Sequence, residues 1–402
     1  MSGKINKNQK ALIVISLLTA ACLLGDSMLY IVLPTHWQEA GLTSLWEVGI
    51  LLSVNRFVRL PLNPIISWLY GRLSSRNGIL LAGLLAVCTT ISYGFIQGFT
   101  IWLIMRCIWG IAWTLLRLGA YFTILQISDE TNRGYFMGTY NGLYRLGSLG
   151  GMLLGGLFGD LYGIAVPAVI FGTISLLALP FVRELSTTAF KFENEQKNDF
   201  AGIIKNSDVL WTLLTGLFVA LVYQGVLMSS LSYLIQNHDL LSIFGLQLSI
   251  GGASAAGILQ ALRWSWEPYL APWIGRVSDG KNGRIKILQY TLLLAAFLFL
   301  LLPGNMPAAI WLTLILLILV TATVLTTIVD TVACDVAFCF PAKTFMSMYS
   351  LAIDVGAALG PILSYTISSF YGPYLIYYLV AVGLLLISTK WVIRPLKVSN
   401  TK

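Results

Sequence analysis

Mostly apolar runs follow one another along almost the whole chain, each long enough to compare with the roughly 20 residues a membrane helix needs. By that measure spans are predicted near 11–34, 46–70, 78–97, 100–126, 135–158, 163–182, 209–236, 246–274, 286–304, 307–335, 343–369 and 372–393. Several run long, which suits tilted helices or ends that project beyond the bilayer. The longest polar break is 183–208, RELSTTAFKFENEQKNDFAGIIKNSD, with charges of both signs mixed. It predicts a cytoplasmic linker between two six-helix halves, 1–182 and 209–402.

Composition sharpens this to a membrane protein. Hydrophobic residues make up 57% of the 402 and charged ones 10%, whereas a soluble domain carries about 25% charged residues. The net charge of +8 does not point to nucleic acid, because the basic residues sit singly in short loops rather than in a patch. They read as topology. Segments expected inside hold Lys4, Lys7, Lys10, Arg72, Arg76, Arg133, Arg183, Arg276, Lys281, Arg284, Lys286, Lys343, Arg394 and Lys397. Those expected outside hold only His36, Glu39, Asp160, His238 and Asp239. The positive-inside rule then predicts twelve spans with both termini cytoplasmic, in a bacterial cytoplasmic (inner) membrane. The first span, behind three lysines and without a small-residue cleavage site, reads as uncleaved. Five cysteines in apolar stretches predict no disulfide framework and no metal site.

The halves repeat. A shift of 209 residues sets Phe136, Met137, Tyr140, Gly147 and Gly151 on Phe345, Met346, Tyr349, Gly356 and Gly360, and Arg145 on Asp354. A shift of 207 sets Arg56 and Pro61 on Arg263 and Pro268. Span two thus corresponds to span eight, and span five to span eleven. The fold class predicted is an all-α membrane protein of twelve transmembrane helices in two pseudo-symmetric six-helix bundles.

Five short motifs lie in order on this frame. After span eight comes Gly275-Arg-Val-Ser-Asp279-Gly-Lys-Asn-Gly283-Arg284, and after span two Ser67-Trp-Leu-Tyr-Gly71-Arg72. Span four holds Arg106-Cys-Ile-Trp-Gly110. Span five holds Gly147-Ser-Leu-Gly150-Gly151 with Gly155-Gly156, and span eleven Gly356-Ala-Ala-Leu-Gly360-Pro361. Together they resemble the major facilitator superfamily, most closely its bacterial drug or metabolite:proton antiporters. That resemblance implies a latch at the cytoplasmic mouth made of Arg72, Gly275, Asp279 and Arg284. Gly71 stands where the family's acidic residue usually does, which weakens the first-half copy. It also implies proton transfer at Arg106. Its expected partners are a small-molecule substrate, protons and the lipid bilayer, with no nucleic acid, no cofactor and no metal, and the working unit a monomer.

Charges inside spans are costly and are functional candidates by default. Asp26, in Gly25-Asp26-Ser-Met-Leu-Tyr30, has no Lys or Arg within a helical turn or two. In so apolar a setting it is expected to bind and release a proton near neutral pH; the competing reading is a structural carboxylate bonded across helices. Arg106 is expected to stabilise the ionised form of such an acid. Arg56 and Arg59 share a face of span two; the resemblance implies that span two packs beside span eleven and span five beside span eight, which makes Arg56 or Arg59 a candidate partner for Asp354 and Arg145 for Glu267. These pairs are either gates, substrate-carboxylate sites or permanent ties. Arg117 is expected to pair locally, and Asp330 and Asp335 to meet Lys343 or the loop at Arg276. The expected substrate-binding set is Asp26, Tyr30, Asn55, Arg56, Arg59, Tyr140, Asn141, Tyr144, Arg145, Tyr223, Gln224, Trp264, Glu267, Tyr349 and Asp354, with Asp26 and Arg106 coupling protons.

An intramembrane enzyme is disfavoured: the only histidines are His36 and His238, both outside, with no His-Glu-x-x-His pattern. A phosphate-binding Gly-x-x-x-x-Gly-Lys-Ser/Thr loop is absent too. A non-transporting sensor on the same fold is the third possibility. The expected function is proton-coupled export of a small amphipathic or zwitterionic molecule, such as a drug-like compound, metallophore or siderophore. The alternative is proton-coupled import of an amino acid or organic acid.

Overall fold

In hydrocarbon no water can satisfy the backbone, so an apolar run must bond its own N–H and C=O groups, which a helix does within a single segment. The computed structural model describes residues 7–127, 133–185, 206–237, 251–278, 283–337 and 342–393. Among them the regular structure is helical, without strands. The helices are α1 Lys7–Val32, α2 Leu45–Tyr70, α3 Ser75–Ser92, α4 Phe99–Ile127, α5 Arg133–Tyr162 and α6 Ala165–Ala178, which is extended by a 3-10 turn at Leu179–Glu184. Next comes α7, built from Ser207–Ala220, a π-helical turn at Leu221–Leu227, and Met228–Asn237. The last are α8 Gly252–Ser278, α9 Gly283–Leu301, α10 Ala308–Ala337, α11 Ala342–Tyr371 and α12 Leu375–Ile393.

Among the described residues nine of these are long and apolar enough to cross a membrane. The exceptions are α2, α5 and α8, of 26, 30 and 27 residues. They are long enough, but each carries ionisable or strongly polar side chains along its middle, among them Arg56, Arg145 and Glu267. Twelve spans are compatible with this. Leu17, Leu84, Phe95, Leu177, Phe297 and Leu386 are exposed, apolar surface suited to lipid.

Predicted boundaries hold to within a few residues, with one informative miss. The third span was expected to run to 97, but α3 stops at Ser92. Gly98 turns the chain at a φ of 88° and donates to the Ala40 carbonyl at 3.0 Å, a conformation that suits glycine. Most of the 183–208 linker, His238, Asp239, Asp279, Lys281, Arg394, Lys397 and Cys339 lie outside the described residues. Cys22, Cys88, Cys107 and Cys334 are free thiols.

The described residues fall into two compact units. The first holds α1 to α6 together with residues 231–237 of α7 and 252–260 of α8. Its centre is α5 lying along α1. Methyl groups added at Gly147, Gly151, Gly155 and Gly159 would strike Ala20, Leu24, Met28 and Val32 in turn. Four glycines, each one turn after the last, therefore seat four α1 residues at the same spacing. Gly156, next to Gly155, meets Ala253 of α8, and Gly257 meets Met152. The second unit holds the rest of α7 and α8 with α9 to α12. There Gly356 of α11 seats the Leu217 carbonyl of α7, and Gly360 meets Gly225 within the π-helical turn. Gly356 and Gly360 lie 209 residues after Gly147 and Gly151, so the repeated glycines do the same packing in both units.

Candidate functional site

Gly25 and Gly110 bring three helices together around Asp26. A methyl on Gly25 would collide with Thr90 of α3, and one on Gly110 would lie 2.8 Å from the Asn55 carbonyl of α2. One turn before Gly110, Arg106 donates through Nε to the Leu51 carbonyl at 2.8 Å. The Arg-x-x-x-Gly spacing thus clamps two successive turns of one α2 face, Leu51 and Asn55. The same guanidinium donates through Nη1 to Asp26 Oδ1, an ion pair between α4 and α1. Asn55 Nδ2 donates to the same carboxylate oxygen at 3.4 Å.

The sequence offers Asp26 no partner within its own helix, and Arg106 as the group of another span that would stabilise such an acid. Nothing in its own helix pairs with it, but a residue 80 positions away does. The Asp26 side chain keeps 12% of its surface accessible while that of Arg106 has none. A small solute or a proton therefore has an approach to the acid and none to the guanidinium. Removing one partner of a buried ion pair costs about 3–5 kcal/mol, so the pair ties α1, α2 and α4 together as long as both charges persist.

Other expected residues gather nearby. Tyr30 donates to the Leu52 carbonyl at 3.2 Å. Arg56 Nε donates to the Tyr30 hydroxyl at 3.3 Å, with its guanidinium 5.8 Å from that ring's centre. Arg59 Nε donates to the Asn55 carbonyl at 3.0 Å. Asp26, Asn55, Arg59 and Arg106 are thus bonded in one chain, and Tyr30 with Arg56 forms a second bonded pair on the same helices. Further along α4 and α5 is an aromatic cluster: Tyr140 and Tyr144 lie 5.0 Å apart, Trp113 and Tyr144 6.0 Å, and Tyr121 and Tyr140 6.1 Å. Arg117 bonds the Tyr121 hydroxyl at 3.2 Å, one turn along its own helix. On α5, Asn141 is half-buried and Arg145 exposed.

In the second unit the bonds around Tyr223 join neutral groups, with the buried Arg263 of α8 nearby. Tyr223 and Thr321 share a hydrogen bond at 2.9 Å, and Ser230 and Tyr377 one at 2.8 Å. Tyr365 donates to the Ser229 carbonyl. Trp266 donates to Thr323 at 3.3 Å, while Gln224, Trp264, Glu267 and Asp354 are half-buried. Tyr349 is buried and donates to Asp330 at 2.7 Å. Asp335 meets Arg284 at the start of α9; the side chains of Arg276 and Lys343 lie outside the described ones. Of the expected latch, Arg72 is exposed with its guanidinium 4.1 Å from the centre of the Trp68 ring. A Cβ on Gly275 would meet nothing within 4 Å, and Asp279 is outside the described residues.

The repeat shows what replaces the ion pair. Leu217, seated by Gly356, stands 197 residues after Ala20, seated by Gly147; the same step carries Asp26 to Tyr223. Trp102 stacks on Tyr93, and 209 residues on, Trp311 bonds the Leu302 carbonyl. That step carries Arg106 to Ile315. Both replacements are fully buried.

Sequence reasoning missed Thr90, Tyr93 and Trp102 beside the pair. The one available signal was Trp102 standing a helical turn before Arg106; Tyr93 looked like any aromatic near a span end.

A family model described as Major Facilitator Superfamily matches residues 15–338. The multidrug resistance protein MdtG of Proteus mirabilis is 24% identical over 370 residues, covering 89% of each chain. An uncharacterized MFS-type transporter of Methanocaldococcus jannaschii, MJ1560, is 28% identical over 180 residues, which span 44% of this chain and 45% of that protein. Among solved structures, a bacterial homolog of the human lysosomal transporter Spinster aligns over 97% of both chains with a TM-score of 0.75 at 16% identity. The nucleoside transporter NupG aligns over 96% of this chain and 98% of its own with a TM-score of 0.72 at 12% identity. The chain belongs to the Major Facilitator Superfamily of membrane transporters.

Proposed function

We propose that this transporter couples proton movement to export of a small amphipathic or zwitterionic molecule by alternating access, with Asp26 carrying the proton and Arg106 setting its affinity. The observation that carries this is the enclosed Asp26–Arg106 pair, whose acid keeps an accessible edge. While Asp26 is ionised it ties α1 to α4, with Asn55 of α2 on the same oxygen. A proton on Asp26 removes the charge that Arg106 answers, and leaves the guanidinium on the Leu51 carbonyl. A cationic group of the substrate competes with that proton for the same carboxylate. The half-buried rings of Trp113 and Tyr144, backed by the buried Tyr140, suit its apolar part.

The resemblance to a multidrug resistance protein supports an exporter. We take 1–182 and 209–402 as the two halves, 183–208 as their linker, and the loop at Gly275, Asp279 and Arg284, with Arg72, as the inner latch. The test is transport in everted and right-side-out vesicles, with and without a pH gradient, across a panel of drug-like cations and metallophores. Gradient-driven accumulation in everted vesicles, lost in Asp26→Asn, is the expected result. Transport indifferent to the gradient removes the proton; accumulation only in right-side-out vesicles makes the protein an importer.

A further inference from the structure

Helix α8 begins without a capping side chain of its own. Gly251 stands just before its first residue, Gly252, and the Ala255 N–H donates to the Gly251 carbonyl at 3.1 Å, which closes the first turn. The side chain at such a position ordinarily answers the second or third N–H of the helix. Here the answer comes from α5: the Ser254 N–H donates to Asp160 Oδ2 at 2.7 Å. A Cβ on Gly251 would lie 2.2–2.4 Å from the Asp160 carboxylate, so glycine leaves the cap position open for an acid from another helix. The Ser254 hydroxyl also donates to the Gly156 carbonyl, one turn before Asp160, at 3.2 Å.

The repeat makes this tie one-sided. The shift of 207 that carries Arg56 to Arg263 sets Ser44 on Gly251. Ser44 precedes α2, and the carboxylate there is α2's own: Glu47 accepts from the Thr43 N–H at 2.7 Å. The shift of 209 that carries Gly151 to Gly360 sets Asp160 on Ser369. The Ser369 hydroxyl donates to the Tyr365 carbonyl within α11 at 2.8 Å. Among the described residues a carboxylate thus bridges α5 and α8, while at the matching places α2 and α11 each bond within themselves.

We infer that Asp160 is a latch that holds the outer end of α8 on α5, and that outward opening in the transport cycle releases it. The positive end of the helix dipole favours a carboxylate at this place, so the tie is directional as well as hydrogen-bonded. The rest of the contact is made for parting. Gly156 meets the Ala253 backbone and Gly257 the Met152 backbone, faces that hold no interlocked side chains. Asp160 is half-buried, so water can answer both the carboxylate and the helix N–H groups once they separate. Residues 252–260 of α8 lie in the first unit and the remainder in the second. Release of those first turns therefore leaves the packing of the remainder in place.

The inference rests on alternating access as proposed, with the end of α5 that bears Asp160 outside, and the experiment separates the two. Nitroxides on Phe95 and Ile258, both exposed, report the distance from the turn after α3 to α8. It is read by double electron–electron resonance on the full chain in lipid nanodiscs, with the five cysteines replaced. Asp160→Ala should raise the ratio of the longer distance to the shorter about tenfold. Asp160→Asn keeps an acceptor oxygen without the charge and should fall between. Asp160→Ala combined with Gly251→Asp caps α8 from within and omits the tie to α5. That combination should regain the thermal stability lost in Asp160→Ala while the distances stay opened. If it restores the shorter distance instead, Asp160 only caps a helix and the latch is overturned. An unchanged distribution in Asp160→Ala, with a second distance still appearing in Asp26→Asn, overturns the latch and leaves alternating access standing. One distance in every variant, Asp26→Asn included, overturns both.

Discussion

The two units pack by the same rule and differ in what they bury. In the first, Gly147 and Gly151 seat α1; in the second, Gly356 and Gly360 seat α7. At matching positions of the repeat one holds Asp26 with Arg106 and the other Tyr223 with Thr321. A duplicated frame has thus kept its helix contacts while one copy carries an ion pair and the other neutral hydroxyls. A hydroxyl pair needs little compensation and has one state at ordinary pH. An enclosed ion pair is poised between two states, since losing either charge changes what holds the helices. The switch proposed above therefore belongs to the first unit, while the second buries Tyr223 near Arg263 at the matching place.

The largest effect should come from giving the first unit the second's residue. Arg106→Ile strands the Asp26 charge and should lower stability by about 3–5 kcal/mol, read as a fall in the thermal unfolding midpoint in detergent, with coupled transport abolished. Asp26→Leu combined with Arg106→Ile should recover most of the stability and none of the transport. If the double variant is as unstable as the single one, the pair is not the unit that matters and the comparison fails.

The shared frame comes next. Gly147→Ala and Gly356→Ala should each cost about 1–3 kcal/mol by overpacking, because the added methyl strikes the Ala20 carbonyl in one unit and the Leu217 carbonyl in the other. Similar losses in the same unfolding assay would support equal packing. A loss in one alone would show that the symmetry ends at the sequence.

The hydroxyls should matter less. Tyr223→Phe deletes the bond to Thr321 and leaves a buried threonine, which bonds the Ile318 carbonyl within its own helix. The expected cost is about 0.5–1.5 kcal/mol, with the pH dependence of transport unmoved. A shifted pH profile would give the second unit a part in the switch.

How much of this could be read beforehand depends on whether the information was local. Helix positions were legible because hydrocarbon solvation acts on each run separately, and the glycine repeat was legible because close packing leaves small residues at fixed spacing. Asp26 and Arg106 were legible as costly charges, an acid and the group that would stabilise it, but the bond from Asn55 of α2 to the same carboxylate oxygen was not. The π-helical turn at Leu221–Leu227, where Gly225 meets Gly360, left no signal in the apolar pattern. Tyr93 and Thr90 were missed for the same reason: Tyr93 meets Trp102, and Thr90 meets Gly25, only once the helices pack.

The smallest effects should be at the exposed ties, where the units ought to behave alike. Lys10 pairs with Glu184 at 3.0 Å with side chains 57% and 45% accessible, and Arg284 pairs with Asp335 at 28% and 31%. Exposed pairs contribute about 0–1 kcal/mol and weaken as salt rises. Lys10→Ala should therefore be nearly silent, and Arg284→Ala should cost a little more because its pair is less wet. Both losses should shrink further in high salt, whereas the Arg106→Ile loss should not, since water and ions do not reach its guanidinium. If Arg284→Ala rivalled Arg106→Ile in stability and was insensitive to salt, the second unit would have an ion pair of equal consequence, and the contrast would be one of place rather than of kind.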